Sequence, residues 1–319
     1  MISENDRKRI VQALIDEERK INIGMFFSED ELHDFLNFLR ISSPILFHLG
    51  EMKYSINRLT RNTSIYPQYL MTSEEHKQVS NAVLQRINVI KREFDLVSDL
   101  SEKERYIHDF LCSNIVYAEE GNESHTILGP LLNGRGVCEG IAKTAQLLLK
   151  LCGIPACIIE GSASSEKKSN VPHAWNAVRI KDKWCQCDFT FDIAMSRIGF
   201  TRYDYYNIST YQISSDHVVE YDPWQVSGLC TSDENSYYST NRLVVYSVND
   251  LDEFIKQKIY MRQRNIQFRM KCSLPDVICA STVEEHVHRV LSGAKGLRSY
   301  TYNYNSKQQV YCALIEYNN

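Results

Sequence analysis

The chain has 319 residues, of which 43% are hydrophobic and 24% charged, with 13 glycines, 7 prolines and a formal net charge of -4. That balance is globular and excludes collagen-like, disordered and low-complexity classes. A small negative charge, a pI near 6.2 and no basic stripe argue against nucleic acid as a partner.

The opening "MISENDRKRIVQALIDEERKINIG" carries charges every two or three residues and lacks the apolar core of a signal peptide. Nowhere is there a run of about 18 apolar residues, so no membrane partner is expected, and the cytoplasm is the expected location. Residues 4–20 alternate charged and apolar positions at helical spacing. Ser28 and Glu31 form a capping box ahead of an amphipathic helix that Pro44 ends. The stretch 45–71 mixes β-branched and aromatic residues with turn formers and predicts two or three short strands.

Thr72 to Leu100 is the longest predicted helix, capped by Thr72 and Glu75, with Val79, Val83, Ile87, Ile90 and Phe94 as its apolar stripe. Ser101 and Glu104 are expected to start the next. A turn-rich stretch, "EEGNESHTILGPLLNGRG", leads into a helix over 138–152 with Ile141, Ala145, Leu148 and Leu149 along one side. Three strand-like runs follow, "IPACIIEGSA", "HAWNAVRI" and "KWCQCDFTFD". Residues 192–240, rich in Tyr, Ser and Asp, show no period and read as a long irregular segment. From 243 the alternation of strand, helix, strand, helix and a terminal strand pair predicts a small α+β module.

Ten cysteines are scattered through periodic segments, which suits reduced thiols better than disulfides. Cys112, Cys152, Cys157, Cys272 and Cys312 read as buried and inert. Cys185 and Cys187 share one strand face but lack a second pair at zinc-site spacing, so no metal site and no cofactor is expected. His286 and His288 sit two apart on a helix and point to different sides. The tyrosines of 203–211 are a substrate wall or a packed loop.

Cys138 differs from the other cysteines. It stands between Gly136 and Gly140 at a predicted helix start, where unpaired backbone N–H groups favour a thiolate and can donate to an oxyanion. Gly134, Gly136 and Gly140 let the backbone turn sharply and a substrate come close. Acyl transfer also needs a base, and His173 opens the strand "HAWNAVRI". If Lys181 and Asp182 form a two-residue hairpin loop, Trp175 opposes Asp188 and His173 opposes Thr190. His173 and Asp188 then lie diagonally on one face, about 7 Å apart at Cβ, and Asp188 can orient the imidazole. Asp192 reads as a turn residue.

"GRGVCEG", "HAWN" and "DFT", in this order, resemble the signature blocks of the transglutaminase-like superfamily, which is related to papain. The likeness runs over roughly 100–192. Its helical lead, "EKERYIHDFLCSNIVY", resembles what precedes the core in bacterial members. The resemblance implies a nucleophile at a helix N-terminus packed on an antiparallel sheet. Cys138 would be the nucleophile, His173 the general base and acid, and Asp188 the orienter. The Cys138 N–H would serve the oxyanion hole, with Asn133 as the candidate side-chain donor. Trp175, Glu139 and Gly136 are the expected substrate contacts, Glu139 alternatively serving as an electrostatic helix cap.

The expected architecture is therefore α+β: an N-terminal helical extension over 1–60, a catalytic domain over 61–240 and the α+β module over 243–319. The expected chemistry is cysteine-dependent acyl transfer on a peptide or protein amide through a thioester, with hydrolysis as the outcome. Amine transfer or crosslinking, and a non-catalytic binding module on the same fold, are the alternatives.

Overall fold

The structure, a computed structural model, describes residues 3–165, 168–271 and 276–318. The chain folds as two compact units, residues 1–158 and 159–319.

In the first unit, α1 (Glu4–Ile15), β1 (Ile21–Asn22), α2 (Glu29–Ser42), β2 (Leu49–Asn57) and β3 (Asn62–Tyr69) share one core. Ile10 and Leu14 of α1, Leu32 and Leu39 of α2 and Ile65 of β3 are fully buried there. The strands form an antiparallel sheet in the order β1-β3-β2. Residues 58–61 make the β2–β3 turn, so the strand-like stretch resolves into one hairpin. The Ser28 capping box on α2 is present as expected.

Helix α3 (Ser73–Phe94) is capped by the Thr72–Glu75 box and buries Val83, Ile90 and Phe94 along the predicted stripe. It stops six residues short of Leu100. The next helix, α4 (Leu100–Asn114), is capped by Asp99, whose carboxylate accepts from the N–H groups of Ser101 and Glu102, and not by Ser101. An aspartate at that position satisfies two orphan donors at once. After the short parallel pair β4 (Val116–Tyr117) and β5 (Arg135–Gly136) comes α5 (Cys138–Leu151). The sequence predicts one buried side for α5. Instead Lys143, Thr144 and Gln146 are buried along with Ile141, Ala145, Leu148 and Leu149, so the helix is enclosed nearly all round.

The second unit takes up most of β6 (Ala156–Ala163), then β7 (Val171–Ile180), β8 (Lys183–Cys187), α6 (Phe189–Met195), α7 (Thr210–Ile213), β9 (His217–Tyr221) and α8 (Tyr237–Thr240). The sheet runs β8-β7-β6-β9. The hairpin between β7 and β8 turns on Lys181 and Asp182, both at positive φ (47° and 61°), with Ile180 paired to Lys183 as expected. The 192–240 segment is less irregular than its composition suggests, since it contains β9, which pairs antiparallel with β6.

Residues 244–317 add β10 (Val244–Val245), α9 (Val248–Tyr260), β11 (Asn265–Met270), α10 (Asp276–Gly293), β12 (Leu297–Asn305) and β13 (Val310–Tyr317). Their sheet, β10-β11-β13-β12, shares a core with α9 and α10 that includes Leu251, Ile255, Phe268, Val283, Val287 and Tyr311. The buried Arg202 guanidinium, paired with Asp204, also donates to Asn303 of β12 and so ties this sheet to the 200–206 segment.

Candidate active site

Cys138 is the first residue of α5 and is partly exposed. The helix has Val137 at its N-cap with no side-chain capping bond. Gly134 supports the approach with φ +65°, a conformation that suits glycine. Gly140 answers a different need: a Cβ there would lie 2.2 Å from the Ser124 carbonyl oxygen and 2.8 Å from that of Thr126. The glycine lets the first turn of α5 press directly on the 122–126 segment. Gly136 is buried, and a Cβ on it would meet the Pro130 ring at 2.8 Å.

Glu139 makes ion pairs with Arg40 and with Lys143 (2.7 Å), and a 3.3 Å contact with His125 Nδ1. Burial works to raise its pKa, but the Lys143 and Arg40 charges prevail and hold the carboxyl below its usual value. These residues line one end of a cavity of about 510 Å³, whose other walls include Leu36, Leu46, Phe47 and Met52. Asn133 donates to the Glu123 carboxylate at 2.8 Å.

In the second unit His173 and Asp188 meet. His173 Nε2 is 2.7 Å from Asp188 Oδ2, and Asp188 is 1% exposed. The β7–β8 ladder ends at Asn176–Cys187, so the expected strand through Asp188 to Thr190 does not form. Asp188 is instead the N-cap of α6, with its Oδ1 accepting from the N–H groups of Thr190 (2.9 Å) and Phe191 (3.1 Å). A short carboxylate at the strand end satisfies the orphan donors of the following helix, which is why the chain turns there. The hairpin register still puts the carboxylate beside the imidazole.

A second imidazole shares that carboxylate. His217 Nε2 lies 2.9 Å from the same Oδ2, and its Nδ1 lies 2.6 Å from Asp216 Oδ1. The Tyr205 hydroxyl donates to Asp216 Oδ2 at 2.6 Å. Burial would push Asp188 up, but His173 and His217 hold it well below the usual carboxylate range. For His217 burial works the other way, and the bonds to Asp188 and Asp216 carry its pKa above the ordinary imidazole value.

His173, Asp188 and His217 offer ligand atoms within 4.8 Å of one another, the one such group of three among the described residues. Two zinc bonds of about 2.1 Å at a tetrahedral angle would hold their donor atoms roughly 3.4 Å apart. The 2.7 and 2.9 Å spacings are those of shared protons.

Trp175 is 1% exposed, stacks beside His173 and donates from Nε1 to Gln186 Oε1 at 2.5 Å. Asp192 is a buried helical residue of α6, not a turn residue, and accepts from the Tyr205 N–H at 3.0 Å. Tyr203, Tyr205 and Tyr206 are buried packing residues, whereas Tyr211 is 88% exposed. Cys157 and Cys312 are buried as expected, but Cys112 and Cys152 are only half-buried. Cys272 lies outside the described residues. No disulfide joins the eight cysteines whose side chains are described. Cys187 is occupied with Asn207, His286 with Asp252 and His288 with Tyr300.

The sequence pattern does not single out His217 and Asp216. Their only signal is "DHVVEY", a short apolar run flanked by charge inside a stretch without period.

Residues 90–189, which contain Cys138, His173 and Asp188, match the family model of the transglutaminase-like superfamily. His217 falls beyond that match. Among curated proteins, none matches the sequence. Two solved structures are similar over part of the chain. One is a TGase, at 16% identity and TM-score 0.31, covering 54% of this chain and 51% of that chain. The other is a proposed cysteine protease from Cytophaga hutchinsonii, at 14% identity and TM-score 0.30, covering 44% of this chain and 61% of that chain. The likeness thus spans about half the length of the first and three fifths of the second.

Proposed function

We propose that the protein carries out cysteine-dependent acyl transfer on a peptide or protein amide, with water as the acceptor. The observation that carries this reading is the 2.7 Å bond between His173 Nε2 and the buried Asp188 carboxylate. With Nε2 occupied by that carboxylate, the bond supports Nδ1 as the proton-transferring nitrogen.

In this scheme Nδ1 of His173 takes the Cys138 thiol proton as Sγ attacks the amide carbonyl. The N–H of Cys138, at the start of a helix with no side-chain cap, donates to the oxyanion that forms. The imidazolium then gives its proton to the departing amine, leaving a thioester on Cys138. Water, deprotonated by His173, attacks the thioester; the C–S bond breaks, the acid leaves, and the imidazolium returns its proton to the Cys138 sulfur. Asp188 stays ionised throughout and stabilises the imidazolium. Trp175 walls the histidine, and Glu139 and Gly136 border the substrate. The family match over residues 90–189 supports the cysteine nucleophile. Hydrolysis comes first because aminolysis needs a second site that outcompetes water for the thioester.

The test is mass spectrometry of a peptide library incubated with the protein, with and without a primary amine. Cleaved or deamidated peptides under both conditions support hydrolysis. Amine adducts replace it with transglutaminase-type transfer, and an unchanged library in both arms leaves a binding module.

A further inference from the structure

His217 belongs to no part of that scheme, yet it is fully buried against the carboxylate on which the scheme depends. Both of its ring nitrogens face carboxylate oxygens, Nε2 toward Asp188 at 2.9 Å and Nδ1 toward Asp216 at 2.6 Å. A neutral imidazole has one N–H and could serve only one of them, leaving two acceptors facing each other. Asp188 already receives three other donors, from His173, Thr190 and Phe191. Asp216 receives the Tyr205 hydroxyl. Both carboxylates are therefore built to remain acceptors, and the ring between them must donate twice.

The groups around His217 complete the charge count. Asp188 caps α6, His173 stands on β7, Asp216 precedes β9, and Tyr205 closes the far end with its phenol raised well above its ordinary value by burial. Trp175 and Phe191 cover His217 as neutral rings with centroids 5.1 and 4.9 Å away. With Asp188 and Asp216 ionised and His217 protonated, the buried cluster carries one net negative charge, which a proton on His173 cancels.

Resting on the acyl-transfer reading, we infer that His217 is a positioning residue of the His173–Asp188 pair. As a doubly donating imidazolium at neutral pH, it pins Asp188 Oδ2 and moderates the pull of that carboxylate on the His173 proton. Asp188 alone would make His173 too strong an acid-holding group to return its proton to a leaving amine. A second cation on the same oxygen, with ring centroids 5.4 Å apart, lowers that affinity.

The experiment is a ring-nitrogen NMR titration of the full chain with ¹⁵N-labelled histidine, on the native protein and on His217→Gln. Native His217 is expected to show two protonated nitrogens at about pH 7. In His217→Gln, which keeps one donor toward Asp188, the His173 midpoint is expected to rise by about one unit. A merely structural His217 would lower the melting temperature of the variant and leave that midpoint where it was. A neutral His217 with one protonated nitrogen at pH 7 overturns the inference, whatever the variant does. So does an unchanged His173 midpoint in a folded His217→Gln. If both NMR results hold while peptide amides are untouched, the charge arrangement stands and only the acyl-transfer reading falls.

Discussion

Two buried aspartates of the second unit, Asp204 and Asp188, have similar burial and opposite partners. Asp204 takes a two-pronged bond from the Arg202 guanidinium (3.0 and 2.6 Å), plus donors from Asn305 and Tyr238. Asp188 takes two imidazoles and two backbone N–H groups. A guanidinium keeps its proton at any pH a protein experiences, so the Arg202 pair can anchor but cannot exchange charge. Imidazoles can exchange it near neutrality. Burial alone therefore does not separate an acid held by a fixed charge from one with a partner, such as His173, that can exchange a proton.

The sharpest break of this comparison is to neutralise Asp188. Asp188→Asn keeps a good helix cap for α6 and so the fold, but removes the charge that stabilises the His173 imidazolium. Turnover on a cleaved peptide is expected to fall by about 10⁴-fold, with a lowered melting temperature that still leaves the variant folded at the assay temperature. A fall in melting temperature that accounts for the lost rate would make Asp188 structural instead. The mirror experiment is Arg202→Ala. It strands the Asp204 carboxylate in the interior and is expected to cost about 3–5 kcal/mol by denaturant unfolding. At low temperature, where the variant stays folded, its pH–rate profile should match that of the native protein.

The smallest effect separates the two networks by pH. His217 has a raised pKa, so its contribution to stability is full below the unfolded value of about 6.5 and is lost as pH rises through the folded value. Asp188 has a lowered pKa, so its contribution is present above about 3.9 and is lost only in strong acid, as pH falls through the folded value. The melting-temperature gap between the native protein and His217→Gln should narrow as pH climbs above neutrality. For Arg202→Ala the gap should stay constant over that range.

These differences explain what can be read in the chain beforehand. Capping boxes at Ser28 and Thr72 are local chemistry and are legible, as is the two-residue turn at Lys181–Asp182, because period-two alternation fixes register. That register is enough to bring His173 beside Asp188. It cannot show that Asp188 leaves the strand to cap α6, since that depends on donors of a helix not visible as a pattern. His217 is hidden for a related reason. It sits on a five-residue strand in a Tyr-, Ser- and Asp-rich stretch, and its meaning comes from partners 29 residues away. The enclosure of α5 on nearly all sides likewise reflects tertiary packing of Thr144 and Gln146, whose polarity suggests an outer face.

The central claim is that Cys138 is the nucleophile and His173 its proton partner. Iodoacetamide alkylation, followed residue by residue by peptide mass spectrometry at neutral pH, tests it most directly. Cys138 should react at least tenfold faster than the half-buried Cys112 and Cys152, and His173→Ala should remove that advantage. Alkylation of Cys138 no faster than of those two thiols, or a rate indifferent to His173, would contradict the account.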